Sequence, residues 1–135
     1  MTSASRSKGR TDVTLRPPPS RERQNRYRSG HTAEYVAAAY LMARGHRVLM
    51  RRFKTGAGEI DLVTLKGGRI GFVEVKRRAT LAECEASITP KLRQRVRAAA
   101  NLWMAKHPRH QASDCGFDLV FILPWRLPVH LKDAL

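Results

Sequence analysis

The sequence predicts an α/β (α+β) domain with an αβββαβ core, a mixed central sheet flanked by helices. Three stretches carry that expectation. "TAEYVAAAYLMAR" (32–44) is alanine-rich, with apolar positions at helical spacing. "GEIDLVTLKGGRIGFVEVK" (58–76) reads as two strands around a Gly-Gly turn. "FDLVFIL" (117–123) is nearly continuous in apolar residues, as a strand covered on both faces should be.

Taken in order, the first helix starts near Thr32 and stops at Gly45. "HRVLMRRF" (46–53) suits a strand, and residues 55–58, "TGAG", a turn. Strands follow at 59–66 and 69–77, joined by Gly67-Gly68. Residues 79–88 suit a loop with a helical turn. Thr89 caps a second helix that has Pro90 at its first position and ends at Lys106, before Pro108. Leu92, Val96, Ala99 and Trp103 share its core-facing stripe. The last strand occupies 117–123, and 124–135 is too short to assign.

Length and charge bound the function. A chain of 135 residues fits one domain with its own core. It carries 26 Lys and Arg against 11 Asp and Glu, a formal net charge of +15. Residues 1–28 hold eight of the bases and two of the acids, with few apolar residues, and read as a disordered basic arm. The domain at 29–135 keeps 18 bases against nine acids, so it is itself basic at +9. Such a field favours a polyanion: nucleic acid first, an anionic surface second.

Cys84 and Cys115 form no CxxC, which fits free thiols in a reducing compartment. No apolar run reaches the ~20 residues of a membrane helix, and no signal-peptide core is present. Residues 1–28 are rich in Ser and Arg like a transit segment, but Pro17-Pro18-Pro19 opposes the helix such segments form. The expectation is a cytoplasmic protein with no membrane partner.

The hairpin holds the chemistry. A two-residue loop pairs Lys66 with Arg69, so Val63 faces Phe72, Asp61 faces Glu74, and Glu59 faces Lys76. Four charges then cluster at its open end, beyond apolar pairs near the turn. Facing carboxylates repel, and if buried they need a shared proton or cation. Mg²⁺ takes one or two carboxylates and fills its remaining positions with water and phosphate. Lys76 could then orient a water or stabilise charge on a phosphodiester. The alternative is an exposed face whose acids are neutralised by Lys76 and nearby arginines.

Asp61, then Glu74-x-Lys76 across a hairpin, after a helix bearing Glu34, resembles the PD-(D/E)XK nuclease superfamily and its restriction-endonuclease-like fold. "GHTAEYVAAAYLMARGHRVLMRR", "GEIDLVTL", "GFVEVKRR", "TPKLRQRVRAAANLW" and "FDLVFI" occur in that order. Together they resemble the small bacterial YraN-like family, itself similar to archaeal Holliday-junction resolvases, over residues 30–133. The resemblance implies a Mg²⁺-dependent (or Mn²⁺-dependent) endonuclease acting on DNA, branched or structured DNA included, with a homodimer suited to a two-strand junction. Asp61, Glu74 and the Val75 carbonyl would hold metal, Lys76 would be the catalytic lysine, and Glu34 would point into the site. Glu59 would pair with Lys76 rather than bind metal. Lys91 and Arg95 on the second helix, with Arg77 and Arg78 after the hairpin, would meet nucleic acid.

The chain also departs from that pattern. Gly116 stands before Phe117 where relatives often carry arginine, "FKTGAG" lacks an expected Asn-Arg pair, and the long basic arm is not a family feature. Two further readings stay open: a non-catalytic nucleic-acid-binding protein that keeps the nuclease fold, and an adaptor for an acidic protein or membrane surface. Among other candidates, His107 and His110 lack a partner set for metal and suit a helix end, His31, His46 and His130 stand alone, and Trp103 suits the core. Tyr27, between two arginines, could stack on a base.

Overall fold

The computed structural model describes residues 21–135, with side chains described from His31 onward. Residues 1–20, most of the expected arm, and the side chain of Tyr27 lie outside the described residues. Helix α1 (Arg21–Ala43) leads into strands β1 (Arg47–Lys54), β2 (Glu59–Lys66) and β3 (Arg69–Arg77). Helices α2 (Leu81–Ala86) and α3 (Pro90–Lys106) follow, then β4 (Asp114–Ile122) and β5 (Val129–Leu131). The expected αβββαβ core is present, extended by α2 and β5.

The five strands lie in sequence order. β1, β2 and β3 are antiparallel neighbours, β4 runs parallel to β3, and β5 closes the edge antiparallel to β4. A parallel pair of adjacent strands needs a long crossover, which α2 and α3 supply. Each sheet face has its own core. On one, Ala37, Ala38 and Leu41 of α1 meet Leu62, Val73 and Val120. On the other, Val96, Ala99 and Trp103 of α3 meet Val63, Ile70, Phe72 and Phe121. Covering both faces of β4 is what its apolar run requires.

Thr89 caps α3, its hydroxyl accepting the Leu92 N–H at 3.1 Å. Thr80 caps α2 through the Glu83 N–H at 3.2 Å, converting the expected loop into a short helix. α1 begins at Arg21, well before Thr32, so its first turns run through 21–28. The apolar stripe that betrays a core-facing helix starts only at Ala33, leaving those polar turns without a pattern. β4 likewise begins at Asp114, because Asp114, Cys115 and Gly116 pair with Arg69, Ile70 and Gly71. Cys84 is buried and Cys115 exposed, both free. Among the described residues no helix is long and apolar enough to cross a membrane.

The hairpin register matches the count from Gly67-Gly68 over five pairs, from Lys66↔Arg69 to Leu62↔Val73. Both glycines have positive φ, +57° and +78°, as the mirror-image hairpin turn demands. The ladder then stops. The expected pairs Asp61 with Glu74 and Glu59 with Lys76 are not main-chain partners. The Asp61 side chain takes over instead, Oδ2 accepting the Val75 N–H at 2.8 Å.

Candidate active site

The ladder's early end opens a cavity of about 300 Å³ beside the middle of α1. Glu34, Asp61, Glu74, Val75 and Lys76 line it, with Glu59 at an exposed position and His31, Arg52 and Lys54 completing the wall. The four charged positions singled out in the hairpin therefore do meet, together with Glu34 from a distant helix.

Glu74 is buried at 6% exposure, with Lys76 Nζ 3.2 Å from its Oε2. Burial first, and the Asp61 charge second, raise its pKa from the ordinary 4.5 to about 8, against the opposing pull of Lys76. Burial also raises Asp61, although the Val75 N–H works the other way. The two carboxyls interact directly, and both are pushed toward holding a proton. Lys76 pairs with Glu74 and not with Glu59, contrary to the expectation for Glu59.

Glu34 is buried at 5% exposure and accepts the Arg52 Nε–H at 3.0 Å, with Arg51 at 4.0 Å. Arg52 holds φ +55°, a left-handed conformation inside a strand. Such a residue costs ~1–3 kcal/mol and persists only where its surroundings impose it. It stands level with Asp61: the β1–β2 register passes from Arg51↔Leu62 to Phe53↔Ile60 with these two between. β1 thus leaves regular geometry beside the acids. Nothing in the sequence marks Arg52 beyond its charge.

Gly58 abuts α3. A Cβ there would lie 1.9 Å from the Arg95 carbonyl oxygen, so glycine lets β2 start against the α3 main chain. Lys91 and Arg95 themselves are exposed on α3 and do not line the cavity. Arg77 and Arg78 are exposed just past Lys76, and Arg78 Nη1 folds back to donate to the Arg77 carbonyl at 2.7 Å. These four arginine and lysine positions flank the cleft rather than enter it.

His107 stacks on Trp103 at 3.9 Å between ring centroids, and His110 lies 5.7 Å from it. They finish the α3 end, as expected. Gly116 leaves room for a neighbour: the Arg69 guanidinium occupies the space a Cβ would fill. Trp125 is a residue that sequence reasoning misses. It is fully exposed at φ +61° in "PWRLP", after β4, at the sheet end where Lys76 pairs with Phe121. An indole between two prolines was the available signal.

Among the described residues, no three His, Cys, Asp or Glu side chains converge as a metal cage. The donor set is two carboxylates with a main-chain carbonyl beside them. That fits a Mg²⁺-type ion, which keeps water and substrate phosphate in its other positions, better than a zinc centre.

The chain matches the model of the uncharacterised protein family UPF0102 over residues 33–122. A UPF0102 protein of Rhodopseudomonas palustris (strain BisA53) is 48% identical over 118 residues, 87% of this chain and 91% of that protein. One from Mesorhizobium japonicum is 44% identical over 116 residues, covering 86% and 93%. One from Paramagnetospirillum magneticum is 44% identical over 121 residues, covering 87% and 94%.

Proposed function

The chain belongs to the uncharacterised protein family UPF0102, and we propose that it is a metal-dependent endonuclease hydrolysing DNA phosphodiester bonds. The observation that carries this reading is the meeting of Asp61 and buried Glu74 in a basic domain, with Lys76 at 3.2 Å from Glu74. A buried acid pair costs stability unless a proton or a cation is shared. A basic surface gathers phosphate, and the acid pair then supplies a reason for bringing it there.

Asp61, Glu74 and the Val75 carbonyl would hold Mg²⁺ or Mn²⁺, which supplies Lewis-acid polarisation of the phosphodiester and a more acidic water. Asp61 is fixed by the Val75 N–H. Lys76 lies where its ammonium can stabilise charge gathering on the phosphoryl oxygens. Glu34, locked by Arg52, sits on the opposite wall as a carboxylate able to orient the attacking water. Arg77, Arg78, Lys91 and Arg95 flank the cleft as phosphate contacts.

Purified protein with Mg²⁺ or Mn²⁺ is expected to cut duplex or branched DNA. Asp61→Ala and Glu74→Ala should each abolish cutting. Equal cleavage by wild type and both variants would end the proposal. The second reading, a binding protein without turnover, is favoured by the +9 domain and by exposed Trp125. It prevails if DNA binds, no substrate is cut, and the alanine variants bind as well or better.

A further inference from the structure

A second cavity, about 530 Å³, lies at the other end of the hairpin. Arg44, His46, Lys66, Arg69, His130 and Lys132 line it, with Gly67 of the turn. No acid lines it. Asp118 lies beneath, fully buried, and Asp133 is beside it. We propose that this cavity is a phosphate-binding site separate from the acid cleft, and that it holds a backbone phosphate of the nucleic acid engaged there.

The architecture is built rather than incidental. Asp118 accepts from Arg69 Nη1 at 2.9 Å and Nη2 at 2.7 Å, from the Asp133 N–H at 2.9 Å, and lies 3.1 Å from His130 Nε2. Arg69 Nη2 also reaches Asp133 at 2.9 Å. Among the described residues three of its five N–H donors are spent, so the clamped guanidinium has two to offer a ligand. Gly71 and Gly116 have no side chains to obstruct it. Lys66 Nζ donates to the Arg44 carbonyl at 2.8 Å, which ties down the end of α1 and leaves two N–H groups.

His46 packs edge-on to His130 at 5.5 Å, and its Nδ1 is buried without a hydrogen-bond partner among the described residues. An orphaned ring nitrogen in a cationic hollow needs an explanation. Arg44, Lys66, Arg69 and Lys132 bring four permanent positive charges, and Asp118 and Asp133 return two negative ones. The excess positive charge helps depress the His46 pKa, after burial and alongside His130. An arriving phosphate would relieve that repulsion and give His46 an acceptor.

Position ties the two cavities together. Glu34 on α1 and Arg44, the residue just past its end, are ten residues apart, or ~15 Å at helical rise. Asp61 and Lys66 are five apart on β2, or ~17 Å of strand. That span matches about five base pairs of duplex at ~3.4 Å each. The nucleic-acid source rests on the proposed function; the phosphate site does not.

The test is a histidine-resolved NMR titration of the full chain with inorganic phosphate at constant ionic strength. The His46 and His130 ring signals should shift to saturation, and the His46 titration midpoint should rise. Lys66→Ala with Lys132→Ala should weaken phosphate about tenfold or more, with thermal melting checked to be unchanged. Shifts no larger than chloride produces, or equal affinity in the double variant, overturn the site. A short duplex should displace phosphate, and the double variant should lose about two from the slope of log affinity against log salt. If phosphate saturates but duplex neither competes nor moves these signals, the nucleic-acid source is wrong and the ligand is a small phosphate compound. Glu74→Gln should leave the phosphate titration unchanged, so failure of the nuclease reading registers separately.

Discussion

Replacing Glu74 by glutamine removes one charge from the acid pair while keeping its shape. In wild type, Glu74 titrates near 4.5 when unfolded and about 8 when folded. The folded state therefore holds a proton that the unfolded state has lost between those values. Stability should fall as pH rises through that window and level off above about 8. At ~1.36 kcal/mol per pH unit, the full span of about 3.5 units sets a ceiling near 5 kcal/mol. The variant escapes this cost but loses the Lys76 partner at 3.2 Å, which offsets part of the gain. A net stabilisation of about 2–4 kcal/mol at pH 9 follows, or roughly 10 °C in Tm for a chain of this size. Urea denaturation at pH 5, 7 and 9 with a chelator present measures it. The wild-type and variant curves should separate as pH rises. Saturating Mg²⁺ at pH 9 should close the gap, since about hundredfold excess over Kd adds ~2.7 kcal/mol to the form that binds it. A flat wild-type profile, or a variant less stable than wild type at pH 9, would refute the buried acid pair.

Gly58→Ala should destabilise by about 3 kcal/mol or more, because its Cβ would meet the Arg95 carbonyl oxygen at 1.9 Å and no flexible side chain can yield; the urea midpoint reads it. Asp118→Asn should cost ~3–5 kcal/mol by stranding Arg69, and the Arg69 and His130 contacts should loosen in NMR spectra. Its wild-type carboxyl is held well below the usual range by Arg69 and His130 despite burial, so this stabilisation is present above about 3.8 and fades only in stronger acid. Trp125→Ala should leave stability within ~0.5 kcal/mol, since the ring is fully exposed. It should weaken single-stranded DNA by ~1–3 kcal/mol and remove any DNA-induced fluorescence quenching, because Trp103 is buried; quenching retained in the variant contradicts a stacking role.

How far the site could be read depended on the range of the interactions that build it. The turn Gly67-Gly68 fixes the hairpin register locally, so counting outward holds for five pairs, as far as Leu62 with Val73. It fails at the next pair, Asp61 with Glu74, where the Asp61 carboxylate bonds the Val75 N–H and the two acids meet through their side chains instead. Local propensity has no term for that exchange. Glu34 reached the site through Arg52, 18 residues away, in a left-handed conformation that sequence does not favour for arginine. Asp118 is the instructive omission. It interrupts an apolar strand much as Asp61 interrupts the hairpin, and the same physical question applies to both. A buried carboxylate must have a partner, and this one's is Arg69, 49 residues back. The oddity was visible in "FDLVFIL"; its partner was not, because only the parallel pairing of β3 with β4 brings the two together. A lone acid inside a covered strand therefore predicts a cation nearby, and the fold decides whether that cation is a side chain, as beneath the basic cavity, or a place left for a metal, as in the acid cleft.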